Sequence, residues 1–471
     1  MITMKFGGTS VGDVPRLRKV AEILRSHLSR NPAVVASAMG GVTNTLLDTA
    51  RMAVRRESEP VRKSIEGLKD KHLEVVHTLV LDARRRKELA DTHLRMFDEL
   101  SSLLHGVSLL KELSVRSLDA IASFGEILSC IQLAAILNDC GVPAEFVDSR
   151  PLVRTDNRFG EATVDFAATN EKLKESLLPL LQRAIVPVVT GFIGSTADGL
   201  TTTLGRSGSD YTASIVGAAL GSEEIWIWTD VDGVMTADPR HIKGAAVLPQ
   251  ISYREAAEMS YFGAKVIHPK TMLPAIEKEI PIRIKNTFHP AHSGTLISST
   301  ANSTDRVVKT VTSIDNLSLV AIEGNGMIGV PGVSARIFWA LARIQVNVMM
   351  ISQASSEHNV CLVIPRNDCM RAVKELRAEF EIDIARKIID DVRLMEAVSI
   401  VAVVGEGMRG TQGVAGKTFT AVASAGVNIV AIAQGSSELN ISLVVEEPEA
   451  RKAVQAIHDT FHHAETRRRG E

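Results

Sequence analysis

The feature that most limits the fold of this 471-residue chain is a repeat: residues 324–365 and 405–446 align without a gap, with 19 of 42 positions identical. Self-similarity at a fixed offset marks one structural unit that was copied. Each copy opens on a glycine-rich turn, Gly324-Asn325-Gly326-Met327 or Gly405-Glu406-Gly407-Met408, and continues with apolar residues at helical spacing. These are Val333, Ile337 and Leu341 in the first copy, and Val414, Phe419 and Val422 in the second. Strand-like runs follow at 346–351 and 427–432, then polar turns, then strands at 360–364 and 441–445. Apolar strands at 317–322 and 398–404 precede the turns, and helices at 369–380 and 448–460 trail. The plan is βαββαβ, written twice.

The two copies resemble ACT domains, the amino-acid-sensing modules attached to many biosynthetic enzymes. In that family the backbone N–H groups of the glycine turn and the helix N-terminus grip a small amino acid. A duplicated dimerisation module that binds nothing is the other reading. The resemblance implies effector contacts at Met327, Ile328, Gly329, Val330, Gln353, Ser356, Asn359 and Gln434. The turns of the first copy, 324–332 and 353–359, are the favoured site. The second copy has Arg409 and Thr411 where the first has Ile328 and Val330, so the two need not bind equally. The regulatory modules are expected at 306–388 and 396–465, with the strand near 306–313 belonging to either.

A chain of this length exceeds what one core usually organises, so two or three domains are expected. The formal net charge of −2 provides no general drive toward nucleic acid or an anionic membrane. The chain opens MITMKFGG, and it has no unbroken run of 18 apolar residues. Neither a secretory signal nor a membrane span is expected, and the expected location is the cytoplasm. Cys130, Cys140, Cys361 and Cys369 form neither a CxxC pair nor a zinc spacing, as suits reduced thiols.

The first 290 residues carry the chemistry. Lys5-Phe6-Gly7-Gly8-Thr9-Ser10 ends an apolar strand and precedes a helix from about Val14. Glycines let a backbone approach phosphate, the helix N-terminus favours anions, and Lys5 adds a mobile cation. No GxxxxGK[ST] pattern occurs, which argues against a P-loop fold. A second strand, 33–36, runs into Ser37-Ala38-Met39-Gly40-Gly41-Val42-Thr43-Asn44. Ser37 and Thr43 suit either a substrate carboxylate or a helix cap. Residues 61–142 read as a helical lobe, with Arg84 to Lys87 as a solvated face. Within it Glu126 stands alone among apolar residues and needs a partner, a substrate ammonium or a structural cation.

Further on, the strand 185–190 leads to Gly205-Arg206-Ser207-Gly208-Ser209-Asp210 and then to a helix. Arg206 can bind a carboxylate bidentately, while Asp210 either orients Lys5 or serves the helix dipole. A strand at 225–228 ends in Thr229, Asp230 and the stretch through Met235 to Arg240. Phe262-Gly263-Ala264-Lys265 supplies another lysine, followed by His268 in a structural role. Two lysines suit phosphoryl transfer, which is mostly positioning and charge neutralisation.

These motifs, in this order, resemble the aspartate kinases of the amino-acid kinase fold. The resemblance covers nearly all of the chain and implies an α/β architecture: a three-layer αβα open sheet over 1–290, followed by two ferredoxin-like ACT modules. It implies transfer of the γ-phosphoryl of ATP, with Mg²⁺, to the β-carboxylate of L-aspartate, the first step toward lysine, threonine and methionine. Lys5, Asp210 and Lys265 would be catalytic. Ser37, Thr43, Glu126 and Arg206 would bind aspartate. Lys5, Gly7, Gly8, Thr9, Thr229, Asp230, Met235, Arg240 and Lys265 would hold ATP, with no protein cage of metal ligands. The paired Gln353 and Gln434 favour threonine over lysine as inhibitor. A homodimer or dimer of dimers through the ACT modules is expected. The second module lies close to residue 471, so no fused homoserine dehydrogenase is expected. Two departures stand out. Ser207 replaces a common family glycine, so its backbone must adopt whatever angles that glycine takes. Met235 replaces a common tyrosine and packs without a stacking ring.

Overall fold

The computed structural model describes residues 1–263, 267–299, 306–356 and 358–468, with side chains to residue 462. Lys265 lies outside the described residues. The chain forms two compact units. One takes residues 1–234, 249–253 and 267–299; the other takes 235–248, 254–263 and the chain from 306 on. Two segments inside the first 290 residues, 235–248 and 254–263, therefore belong to the unit of the repeats.

The first unit is built on an eight-stranded sheet of order β3-β4-β2-β1-β7-β9-β10-β8. Its strands are β1 (Ile2–Phe6), β2 (Pro32–Ala36), β3 (Ala144–Val147), β4 (Val186–Thr190), β7 (Ile225–Thr229), β8 (Gln250–Ser252), β9 (Ile282–Asn286) and β10 (Thr295–Ser298). All neighbours are parallel except β9 with β10. A hairpin of β5 (Ile193–Ser195) and β6 (Thr201–Thr203) stands apart.

β1 shows how the sequence places the chemistry. All five residues are buried, as expected of a parallel strand covered on both faces. Side chains alternate, so Ile2, Met4 and Phe6 enter a core shared with Leu17, Leu24 and Leu46. Thr3 and Lys5 point the other way.

The face of Met4 is covered by α1 (Val14–Ser26), α2 (Val42–Val54), α3 (Ser58–Leu79), α4 (Ala83–Leu110) and α5 (Val115–Asp139). Asp13 caps α1 by accepting from Arg16 N at 3.0 Å. α5 is long and apolar enough to cross a membrane by composition alone, but 83% of that stretch is buried inside the unit. It is a core helix. The opposite face carries α6 (Phe166–Gln182), α7 (Gly208–Leu220) and α9 (Pro269–Glu277). His268 caps α9, its Nδ1 accepting from Lys270 N at 3.3 Å. The segment α8 (Tyr253–Tyr261) belongs, from its second residue, to the other unit.

The second unit holds one antiparallel sheet of order β12-β13-β11-β14-β16-β15. Its strands are β11 (Thr310–Glu323), β12 (Met350–Gln353), β13 (Asn359–Pro365), β14 (Asp391–Val404), β15 (Ala431–Ala433) and β16 (Asn440–Glu446). Its helices are α10 (Val333–Arg343), α11 (Cys369–Glu379), the short α12 (Glu381–Ala385), α13 (Val414–Ser424) and α14 (Ala450–Arg468). β12 and β15 start four residues later than their apolar runs, since 346–349 and 427–430 lead in as irregular chain.

β11 and β14 are twice as long as the apolar runs suggest, because each serves both modules. The core of the first module takes Val392 with Leu362 and Ile337. The core of the second takes Val308 and Val311 with Val401 and Leu443. The strand near 306–313 thus completes the second copy. Each long strand crosses between cores at a residue with left-handed backbone, Asn316 (φ 60°) and Ala397 (φ 58°), and the register shifts beside Leu317. The 235–248 segment adds to the same core through Ala237 and Ile242. Its Thr236 carbonyl accepts from Val311 N at 2.9 Å.

Candidate active site

Parallel strands deliver their loops to one edge of a sheet, where ligands gather. β1, β2 and β4 end in Gly7-Gly8-Thr9, Ser37-Ala38-Met39-Gly40 and Gly191-Phe192. A cavity of about 650 Å³ opens there. Lys5, Gly8, Ser37, Thr43, Glu126, Arg206 and Asp210 all line it.

Lys5 reaches the cavity because the alternation of β1 turns it toward α7. Its Nζ stands 2.6 Å from Asp210 Oδ1, and both side chains are largely buried. Asp210 occupies the first turn of α7, where the helix dipole favours a carboxylate. Ser207 precedes that helix as its N-cap with φ 57° and ψ 27°, a left-handed conformation that strains a side-chain-bearing residue. Arg206 is exposed at the rim, and among the described residues no carboxylate pairs with it.

Glu126 is buried on α5. A Cβ on the preceding Gly125 would lie 2.9 Å from the Cβ of Ala38, so only glycine lets α5 press this close to the β2 loop. Ala38 N then donates to Glu126 Oε1 at 3.3 Å, while Oε2 is buried with no hydrogen-bond partner among the described residues. Burial pushes the Glu126 carboxyl up to about 8, against the weaker pull of the Ala38 N–H.

Asp119, two turns earlier on the same helix, lines the cavity too. It accepts from Gly160 N at 2.8 Å, Thr203 N at 3.0 Å and Thr203 Oγ1 at 2.8 Å. Burial raises its pKa above the ordinary carboxylate value despite those donors. The reading of the sequence missed Asp119, although its spacing of seven from Glu126 puts both on one helix face. Phe192, also missed, lines the cavity with φ 68°.

The expected nucleotide residues divide. Gly7, Gly8, Thr9, Thr229 and Asp230 emerge side by side from the adjacent strands β1 and β7. Gly7 N donates to Trp228 O at 3.2 Å, and Thr229 Oγ1 donates to Asp230 Oδ1 at 3.2 Å. Met235 and Arg240 lie in the second unit. The Met235 carbonyl accepts from Thr310 Oγ1 at 3.1 Å, and the exposed Arg240 pairs with Asp238 at 2.6 Å.

In the first repeat a separate cavity of about 400 Å³ is lined by Met327, Gly329, Val330 and Gln353, with the start of α10. Ile328, Ser356, Asn359 and Gln434 stand outside its lining. Asn359 Nδ2 donates to Glu323 Oε1 at 3.2 Å, and Ser356 Oγ bonds His358 Nδ1. The second repeat has a cavity of about 660 Å³ in another place, between α13 and α14 along Gly416, Thr420 and Ala456.

The amino acid kinase family model matches residues 1–286, and the ACT domain model matches 320–380 and 401–461. A bifunctional aspartokinase/homoserine dehydrogenase of Arabidopsis thaliana is 36% identical over 98% of this chain, which spans 51% of that protein. The chain thus covers about half the length of such bifunctional relatives. Chloroplastic aspartokinase 1 of the same plant is 35% identical, over 97% of this chain and 79% of that protein. The structure of Escherichia coli aspartokinase III in complex with aspartate and ADP superposes with a TM-score of 0.79 and 30% identity, over 98% of this chain and 99% of that one. A chain with this sheet, this cavity and these tandem modules belongs to the aspartokinases of the amino acid kinase family.

Proposed function

We propose that the chain transfers the γ-phosphoryl group of MgATP to the β-carboxylate of L-aspartate, giving 4-phospho-L-aspartate. The observation that carries this reading is one cavity holding a buried carboxyl oxygen of Glu126 and a guanidinium of Arg206, both without a partner among the described residues. An α-amino acid brings the complementary pair, an ammonium for Glu126 and an α-carboxylate for Arg206. Ser37 and Thr43 hydrogen-bond the acceptor, whose β-carboxylate then points toward Lys5. Lys5, held by Asp210, neutralises charge on the transferred group without proton chemistry, and transfer is direct and in line. Gly7, Gly8, Thr9, Thr229 and Asp230 hold the nucleotide.

The donor set suits a metal that arrives with its nucleotide. Among the described residues no three His, Cys, Asp or Glu side chains cluster. Mg²⁺ commonly keeps waters and phosphate oxygens as ligands. When bound it supplies charge shielding for the phosphates.

Incubation with ATP, Mg²⁺ and hydroxylamine tests the activity. L-Aspartate should yield the hydroxamate, and succinate, which lacks the ammonium, should not. Equal product from succinate, or product from glutamate alone, refutes the assignment. Feedback inhibition belongs to the same proposal, with threonine ahead of lysine, acting at the cavity of Met327, Gly329, Val330 and Gln353. Initial rates unchanged by either amino acid would leave the modules purely structural. Pairing through the ACT modules, as a dimer or dimer of dimers, completes the reading. So does a cytoplasmic location, which four free cysteines support.

A further inference from the structure

Three successive residues of the loop that follows β2 are each held by a different side chain from the helices on one face of the sheet. Ala38 N donates to Glu126 at 3.3 Å, Gln132 Nε2 donates to Met39 Sδ at 3.1 Å, and Lys71 Nζ donates to the Gly40 carbonyl at 2.6 Å. Lys71 comes from α3, while Glu126 and Gln132 come from α5.

The middle contact has a backing residue. With Gln132 Nε2 turned to sulfur, its Oε1 faces His72 Nδ1 at 3.1 Å, so the histidine carries its proton on Nδ1. His72 and Gln132 are both fully buried. Burial keeps the imidazole neutral, its pKa pushed down to about 3, so this chain of contacts keeps one state across the physiological range.

We propose that Lys71, and Gln132 backed by His72, are positioning residues that set the 37–41 loop for the amino-acid substrate. The proposal rests on the aspartate kinase reading above. The loop is flanked by Ser37 and Thr43, so an error in its path moves both substrate hydroxyls. It also runs against the phosphate loop, where a Cβ on Gly8 would lie 2.9 Å from the Ala38 carbonyl. That second loop has anchors of its own. Gly7 N donates to Trp228 O at 3.2 Å, and the Ser10 and Thr287 hydroxyls bond at 2.7 Å. Losing Lys71 therefore disturbs the amino-acid side of the cavity and spares the nucleotide side.

The test compares Lys71→Met, Lys71→Arg and Gln132→Met with wild type in kcat, in KM for aspartate and ATP, and in thermal midpoint. Lys71 is only partly buried on a helix, so Lys71→Met should unfold within about 3 °C of wild type. Its KM for aspartate should rise about tenfold, with the ATP value within about twofold, since small misplacements cost rate and binding steeply. Lys71→Arg, which keeps a cationic donor, should recover most of the loss, and Gln132→Met should shift in the same direction as Lys71→Met. The proposal is overturned by an unchanged aspartate KM in Lys71→Met, by equal rises for both substrates, or by an arginine variant as impaired as methionine. A wild type that makes no aspartyl hydroxamate overturns the activity reading, and this one with it. An active wild type beside an unaffected Lys71→Met overturns this inference alone.

Discussion

Aspartate binding should expel a proton, and Glu126 fixes how much. In the empty cavity burial pushes this carboxyl up to about 8, whereas a bound ammonium selects the ionised form. A group titrating at that value is roughly 0.9 protonated at pH 7 and about half protonated at pH 8. Binding should thus release about 0.9 proton per site at pH 7 and about 0.5 at pH 8. Affinity should climb about ninefold from pH 6 to 7, about fivefold from 7 to 8, and then level. Calorimetric titration of aspartate into the ADP-saturated protein, in two buffers of unequal ionisation enthalpy, reads the proton count directly. Glu126→Gln should bind weakly and show no such linkage. The same group acts on folding. A carboxyl raised in the folded state contributes stability that is full below about 4.5 and lost as pH rises toward 8, on the order of 5 kcal/mol in all. Heats at pH 7 that do not depend on buffer, or a glutamine variant with wild-type proton release, would refute the placement of the substrate ammonium on Glu126.

Other consequences are measurable. Arg206→Ala should raise KM for aspartate about 10- to 100-fold, the range for losing a charged hydrogen bond of about 1.5–3 kcal/mol, and leave KM for ATP unchanged. An unchanged aspartate KM in steady-state assays removes Arg206 from the substrate site. Ser207→Gly should stabilise the protein by about 1 kcal/mol by relieving the left-handed backbone at φ 57°, seen as a thermal midpoint higher by about 2 °C. Val392→Ala should cost about 2 kcal/mol and speed amide exchange in β13 and α11, whereas Val311→Ala should do so in β16 and α14. Exchange confined to the module nearer in sequence would contradict the shared strands.

What was legible in the sequence was local. The period of Leu17, Val20 and Leu24 marks α1, and the alternation of Ile2, Met4 and Phe6 fixes which way Lys5 points, because both follow from backbone geometry. The loops at the ends of β1, β2 and β4 could be read as one site because parallel strands deliver their carboxyl ends to one edge. The spacing of seven puts Asp119 on the face of Glu126, but its partners, Gly160 and Thr203, lie 41 and 84 residues away, so the sequence does not show what holds it. Lys71 reads as one more charge on a lobe helix until its 2.6 Å contact to Gly40 is seen. The placement of 235–248 with the repeats was equally hidden, since it rests on long-range pairing between Thr236 and Val311.

The repeat itself changes meaning in the fold. In sequence it is two units in tandem; in space neither unit is closed by its own residues. The strand that precedes the first copy, with its lead-in, buries Val311 and Val308 in the second core, and the start of the strand that leads the second copy buries Val392 in the first. A βαβ–β unit lacking its last strand would expose those apolar positions and an unpaired sheet edge, which is costly on both counts. Both long strands are continuous across the join, with only Asn316 and Ala397 as left-handed residues where they cross. The cavity of Gln353 is lined by Val360 of β13, which pairs with Ile322 of β11, and β11 is also paired with β14 in the second core, from Thr310 opposite Val404 onward. On the proposed feedback reading, effector occupancy at one copy should register in the other through this shared backbone.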